Sequence, residues 1–245
     1  MSINKAYITH LFHSSFLIEI NNNLLVFDYF DYASHYIINS SKILTPEFFS
    51  DKQNVYVFVS HSHKDHYDPL IFKWQEANPK INYILSNDIK IENKKPNYYI
   101  VDKYESFSID NIKISTFGST DLGVSYLIKV DGITIFHAGD LNWWCWNNDT
   151  IEAQQKEEKD FKKELDKIKE KKIDIAFFPV DPRLDENYYL GGEYFAKTII
   201  PKLLVPMHFS DKFYIPKKFK KKIQHLDVKV ADITERKRNF IYETK

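Results

Sequence analysis

The sequence predicts an α/β fold of two sheets covered by helices on their outer faces. Three observations predict it. Strand-like and helix-like runs alternate near both ends of the chain, and short β-rich runs joined by tight turns fill the middle. Metal-ligand residue types follow an apolar run, at the carboxyl end of a strand, where open α/β architectures build their sites.

At 245 residues the chain suits one large domain or two small ones, with a single domain over 1–245 expected, and can bury a sizeable core. Lys+Arg 34 against Asp+Glu 34 gives a formal net charge of zero, with no bias toward nucleic acid or anionic membrane. Cys145 stands alone, so no intramolecular disulfide forms, in keeping with a reducing compartment. No apolar run reaches the ~20 residues needed to cross a bilayer. The first residues lack the apolar core of a secretory signal. A cytoplasmic protein is expected, acting on a small molecule, with no membrane or nucleic-acid partner; the oligomeric state is left open.

In order, Tyr7 to His10, Phe16 to Ile20 and Leu24 to Phe27 read as strands, with Asn21-Asn22-Asn23 as a hairpin turn. Phe27-Asp28-Tyr29 leads into an aromatic loop. Val55 to Val59 reads as a buried strand, and Asp68-Pro69 opens a helix ending near Asn78-Pro79. Tyr83-Ile84-Leu85 has the look of a parallel strand. A largely antiparallel meander is expected from Tyr98 to His137, with Asp131-Gly132 as its strongest hairpin signal. Thr150 to Lys172 reads as one amphipathic helix, because Phe161, Leu165 and Ile168 recur at helical spacing. A strand at Ile173 to Phe178, a helix at Glu193 to Ile200, a strand at Leu203 to Met207 and a lysine-rich helix around Phe219 follow. Short strands near Val228 and Phe240 close the chain.

His61-Ser62-His63-Lys64-Asp65-His66 carries the chemistry. In extended backbone, residues i and i+2 point the same way, so His61 and His63 can reach one ion. Asp65 and His66 lie after the chain turns and can serve a second. Imidazole with carboxylate suits zinc best, as one or two ions, with manganese or iron as alternatives. Three histidines and an aspartate in six residues are hard to explain as a polar loop alone.

Here the chain resembles the metallo-β-lactamase fold superfamily, whose hallmark is this motif after a strand. The resemblance implies a four-layer αββα sandwich. His137-Ala138-Gly139-Asp140 matches the family's Gly-Asp element, which makes Asp140 the carboxylate that bridges two metals. Pro206-Met207-His208 matches the last ligand motif, and makes His208 a ligand. Leu11-Phe12-His13-Ser14-Ser15-Phe16 and the His-Ala-Gly-Asp form are most similar to the branch of L-ascorbate-6-phosphate lactonase-like proteins. One departure matters. The family supplies another histidine between these motifs, and this chain has none between His66 and His137. The matching turn is Phe117 to Gly123, with Ser119 near the absent histidine's position. Asp121 either rotates in as an oxygen ligand or caps its own turn.

Other residues carry two readings each. His13 is either a substrate contact or a surface residue. Trp143, with Trp144 and Trp146 just after Asp140, either walls a substrate pocket or packs under a loop. Arg183 either pairs an anionic substrate group or pairs Asp181 or Asp185. His137 is either a buried histidine bonded to backbone or a ligand. His10, His35 and His225 lack a partner motif. The basic stretch from Pro216 to Lys222 reads as a solvated helix face rather than a nucleic-acid patch.

The activity implied is hydrolysis by a metal-activated water of a small ester, lactone, amide or phosphodiester, with Asp65 orienting the water or taking its proton. The alternative is a degenerate member that binds a ligand or partner without turnover. A nuclease is disfavoured, since no segment reads as the extra domain or arm that such relatives carry.

Overall fold

The computed structural model describes residues 3–31 and 44–244. His35 and most of the aromatic loop after Tyr29 therefore lie outside the described residues. The first strands in chain order are β1 (Lys5–Phe12), β2 (Ser15–Ile20), β3 (Asn23–Phe27), β4 (Asn54–Val59), β5 (Asn82–Ser86) and β6 (Tyr98–Val101). Then come β7 (Ser106–Ile109), β8 (Ile112–Phe117), β9 (Ser125–Val130) and β10 (Ile133–His137). The remainder alternates: α1 (Ile151–Leu165), β11 (Ile175–Pro179), α2 (Leu190–Ile199), β12 (Leu203–Met207), α3 (Tyr214–Lys222), β13 (Lys229–Val230) and β14 (Asn239–Glu243).

The chain forms two compact units, Met1–Val101 with Arg236–Lys245, and Asp102–Glu235. Among the described residues each holds one seven-stranded sheet. In the first the order is β14-β1-β2-β3-β4-β5-β6, and in the second β13-β12-β11-β10-β9-β8-β7.

In the first unit β14, β1, β2 and β3 pair antiparallel, and β3, β4, β5 and β6 pair parallel. The interior strands β3 and β4 are apolar almost throughout because both faces are covered. A cluster around Val57, Tyr83, Trp74, Phe49 and Ile71 fills one side of this sheet. Asp68 accepts a hydrogen bond from the Leu70 N–H at 2.9 Å, and Pro69 follows it, so a helical turn starts where the sequence places it. That turn, Pro69–Glu76, is 3₁₀ rather than α. Its burial of Ile71 and Trp74, three apart, suits the three-residue period of that helix.

In the second unit β7 to β10 form the antiparallel meander, and β10, β11, β12 and β13 run parallel. Asp131 (φ 45°) and Gly132 (φ 75°) make the β9–β10 hairpin with two consecutive left-handed residues, which Asp-Gly tolerates well. Two expectations change. Tyr98–Val101 pairs parallel with β5 and belongs to the first sheet, so the meander begins at β7. The amphipathic helix ends at Leu165, not Lys172. The chain continues in turns that still bury Ile168. Among the described residues no helix is long and apolar enough to cross a membrane.

Candidate metal centre

In the first unit three adjacent parallel strands end side by side. Phe27 of β3 pairs with Phe58 of β4, and Val59 of β4 with Leu85 of β5. The segments that follow therefore bring Asp28, the histidine loop and Asp88 together. Asp28 is fully buried and adopts φ 43°, an uncommon conformation for a non-glycine residue. Its carboxylate accepts the Ser60 N–H at 2.7 Å, the Ser60 hydroxyl at 2.7 Å and His66 Nδ1 at 2.7 Å. Asp88 accepts the Ser62 N–H at 2.8 Å, and the His63 carbonyl accepts the N–H groups of His66 and Tyr67 at 3.0 Å each. Backbone and side chain thus fix the loop at several points.

These bonds assign tautomers. An ionised carboxylate only accepts, so His66 donates from Nδ1 and keeps its lone pair on Nε2. Ser60 gives its proton to Asp28, so its oxygen accepts from His61 Nδ1 at 2.9 Å. That leaves the His61 lone pair on Nε2 as well, 3.0 Å from His63 Nδ1. One buried carboxylate therefore prepares two imidazoles as ligands.

His13 lies in the β1–β2 turn at φ 53° and is buried. Its Nε2 is 3.2 Å from Asp65 Oδ2, and its ring meets His66 edge-on with centroids 5.8 Å apart. His13, Asp65 and His66 each offer a ligand atom within 4.8 Å of the others, and so do His61 and His63. The buried position departs from the surface reading of His13.

The second unit repeats the device. β10, β11 and β12 are parallel, with His137 opposite Phe177 and Pro179 opposite Met207. Their carboxyl ends carry Asp140, Asp181 and His208. His208 Nε2 lies 3.2 Å from Asp140 Oδ1, and Nδ1 lies 2.9 Å from Asp181 Oδ2. Burial pushes the His208 imidazolium down, but the Asp140 and Asp181 carboxylates outweigh it and hold the group up to about 9. Burial likewise pushes the Asp181 carboxyl up, and His208 and Arg183 more than reverse this, holding it well below the usual range. His137 is buried, with Nδ1 accepting the Gly139 N–H at 3.2 Å, as a structural histidine would.

The turn that lacks the histidine is built from other bonds. Glu164 of α1 accepts the Gly118 N–H at 2.7 Å and the Tyr104 hydroxyl at 2.9 Å. Thr120 donates to the Asn142 carbonyl at 2.6 Å and accepts the Asn142 N–H at 3.0 Å, which ties the turn to the loop after Asp140. Ser119 accepts the Asp121 N–H at 3.1 Å, and Asp121 itself is exposed at the tip.

The tryptophans divide. Trp143 turns toward Phe161 and Tyr194, beneath Lys162, whereas Trp144 sets its ring against His208 at 5.6 Å. Gly191 lets α2 approach this loop, since a Cβ there would stand 2.0 Å from Asn142 Oδ1. Arg183 pairs with Asp181, one of the two partners its position suggested. Sequence reasoning gave no role to Asp28, Ser60 or Asp88, and treated Trp144 only as part of the tryptophan loop. For Asp28 a signal existed: a carboxylate straight after the apolar run Leu24 to Phe27 is costly unless it has donors.

Histidine and carboxylate at the carboxyl ends of parallel strands, with His66 and His208 each bonded to a buried aspartate, are the arrangement of a metal-binding α/β fold. Comparison with known proteins gives the family. The Beta-lactamase superfamily domain matches residues 7–157, more than half of the chain, so the protein belongs to that superfamily. A UPF0173 metal-dependent hydrolase of Pyrococcus furiosus is 25% identical over 206 residues, covering 73% of this chain and 82% of its own length. Igni18, a metallo hydrolase of Ignicoccus hospitalis, superposes with TM-score 0.67 at 18% identity, over 98% of this chain and 100% of its own. YhfI of Bacillus subtilis, a metallo-β-lactamase fold protein, superposes with TM-score 0.63 at 14% identity, over 98% and 100%. The fold is thus the metallo-β-lactamase fold, of the αββα class.

Proposed function

We propose that the chain is a metal-dependent hydrolase of a small ester, lactone, amide or phosphodiester, and that residues 1–245 act as one functional domain. The proposed ligands are His61, His63, Asp65, His66, Asp140 and His208, for one or two zinc ions, with manganese or iron as alternatives. The observation that carries this reading is the tautomer pattern set by Asp28. It places the lone pairs of His61 and His66 on Nε2, the neutral form in which imidazole binds a metal. The donor set fits such an ion, since nitrogen and carboxylate oxygen together suit zinc.

A bound ion supplies Lewis acidity and an acidified water at neutral pH. The chain's own residues do the rest. Asp65 orients the attacking water and takes its proton, held by His13 at 3.2 Å. Asp28 and Asp181 keep the imidazoles in ligand orientation. Substrate contact is assigned to His13; Trp143, packed against Phe161 and Tyr194, is given the loop-packing role, and Arg183 is taken up below. Asp121, exposed on its turn, is left out of the ligand set.

Metal analysis of protein purified without chelator tests the reading. About one or two zinc ions per chain are expected, with loss of metal in His61→Ala and turnover of a substrate in a panel of lactones, esters, amides and phosphodiesters. Less than one ion per several chains, unchanged by His61→Ala, would sink it. The turn without a histidine favours a second reading, a binder without turnover. Full metal content with no hydrolysis across the panel would select that one.

A further inference from the structure

We propose that Arg183, acting through Asp181, is a positioning residue for His208, and that the Trp144–Trp146 pair completes its support. The inference rests on the reading of His208 as a ligand.

The argument begins with the segment Asp181-Pro182-Arg183 after β11. Pro182 starts a helical turn, and Asp181 caps it by accepting the Arg183 N–H on Oδ1 at 2.8 Å. The cap fixes the carboxylate and also starts Arg183 back toward it. The second oxygen, Oδ2, then receives three donors. His208 Nδ1 reaches it at 2.9 Å, Arg183 Nε at 2.7 Å and Arg183 Nη2 at 2.5 Å. One oxygen so engaged has little freedom to move, and the imidazole bonded to it cannot turn about its ring axis without breaking a charge-assisted bond. The imidazole therefore keeps Nε2 on the Asp140 side, 3.2 Å from Oδ1.

The far side of the guanidinium is supported too. Arg183 lies over the Trp146 ring, 5.7 Å from its centroid. Trp146 is nearly parallel to Trp144, at 5.9 Å and 6°. Trp144 meets His208 edge-on at 5.6 Å, and its Nε1–H donates to the Asp140 carbonyl at 3.1 Å. The contacts form a closed circuit: His208, Asp181, Arg183, Trp146, Trp144 and back to His208. A lysine could neutralise Asp181, but it could not supply two N–H groups and a flat face at once. Arg183 is also 57% exposed on its side chain while Asp181 is 1% exposed. It can be altered at the surface without opening the core.

The test uses the full chain, zinc alone as probe, and the variants Asp181→Asn and Arg183→Gln, with circular dichroism to confirm folding. Zinc affinity is read by competition with a chromophoric chelator. Imidazole nitrogen shifts of His208 are read by NMR in zinc-free protein. Asp181→Asn should weaken zinc about 10- to 100-fold, the range typical of lost outer-sphere support, and Arg183→Gln by a smaller factor. Both should shift the His208 ring-nitrogen signals as the Nδ1 bond to Asp181 weakens, and leave those of His61 and His66 unchanged. Wild-type affinity and wild-type His208 shifts in both variants would overturn the proposal, and unchanged values in Arg183→Gln alone would remove Arg183 from it. If the parent chain takes up no zinc, the proposed function fails, while the NMR arm still reads the positioning of His208.

Discussion

The two units solve the same problem with different chemistry. In each, a buried aspartate just after one parallel strand accepts Nδ1 of a histidine that follows the next strand. Asp28 follows β3 and holds His66 from beyond β4; Asp181 follows β11 and holds His208 from beyond β12. The difference lies in what else the carboxylate meets. Besides His66, Asp28 meets the neutral N–H and hydroxyl of Ser60, a fully buried residue. Asp181 has a guanidinium that is more than half exposed. A buried carboxylate can thus be satisfied by neutral dipoles fixed in the backbone or by a charge brought from the surface. The first arrangement lets one aspartate serve two histidines through Ser60. The second serves one histidine and leaves its support open to solvent.

That contrast sets an order of effects. Asp28→Ala strips the acceptor from three buried donors, of which water can reach none, and should lower unfolding free energy by about 3–5 kcal/mol. Asp181→Ala should cost less, because it leaves the His208 Nδ1–H buried without its acceptor while water can solvate the released Arg183. Denaturant midpoints of the two variants decide it, and equal losses would break the comparison. Ser60→Ala removes a single hydroxyl from the network and should cost about 1–2 kcal/mol. It should also free the His61 tautomer while leaving His66 fixed, which imidazole nitrogen shifts would reveal; coupled changes at both rings would mean that Asp28 does not act on them separately. The smallest effect belongs to Asp121→Ala. On an exposed turn it should stay within about 0.5 kcal/mol of the parent and keep its zinc affinity. A loss of zinc in that variant would restore Asp121 as the substitute for the absent histidine.

Much of this was legible because local pattern and site coincide. The histidine motif needs no tertiary information, since extended backbone alone sends His61 and His63 the same way. Asp140 and His208 were reached through family motifs rather than through spacing, and both do end parallel strands. The helix boundary at Leu165 and the parallel pairing of β6 were not legible. Helical period persists through turns that bury Ile168, and a four-residue apolar strand carries no mark of which sheet will accept it. Arg183 shows the same limit at the level of one side chain, because its sequence position allowed Asp181, Asp185 and a ligand alike.

The sequence by itself determined the α/β class, the apolar strands, the Asp-Pro helix starts and the ligand-type residues at strand ends. These depend on periodicity and on residue chemistry within a few positions. Only the tertiary structure decided which nitrogen of His61 and of His66 carries the proton. It also decided that Asp28 serves His61 and His66, and that Trp144 rather than Trp143 meets His208. Those outcomes depend on hydrogen bonds between segments 27 to 38 residues apart, brought together by strand register, which no local window of sequence contains.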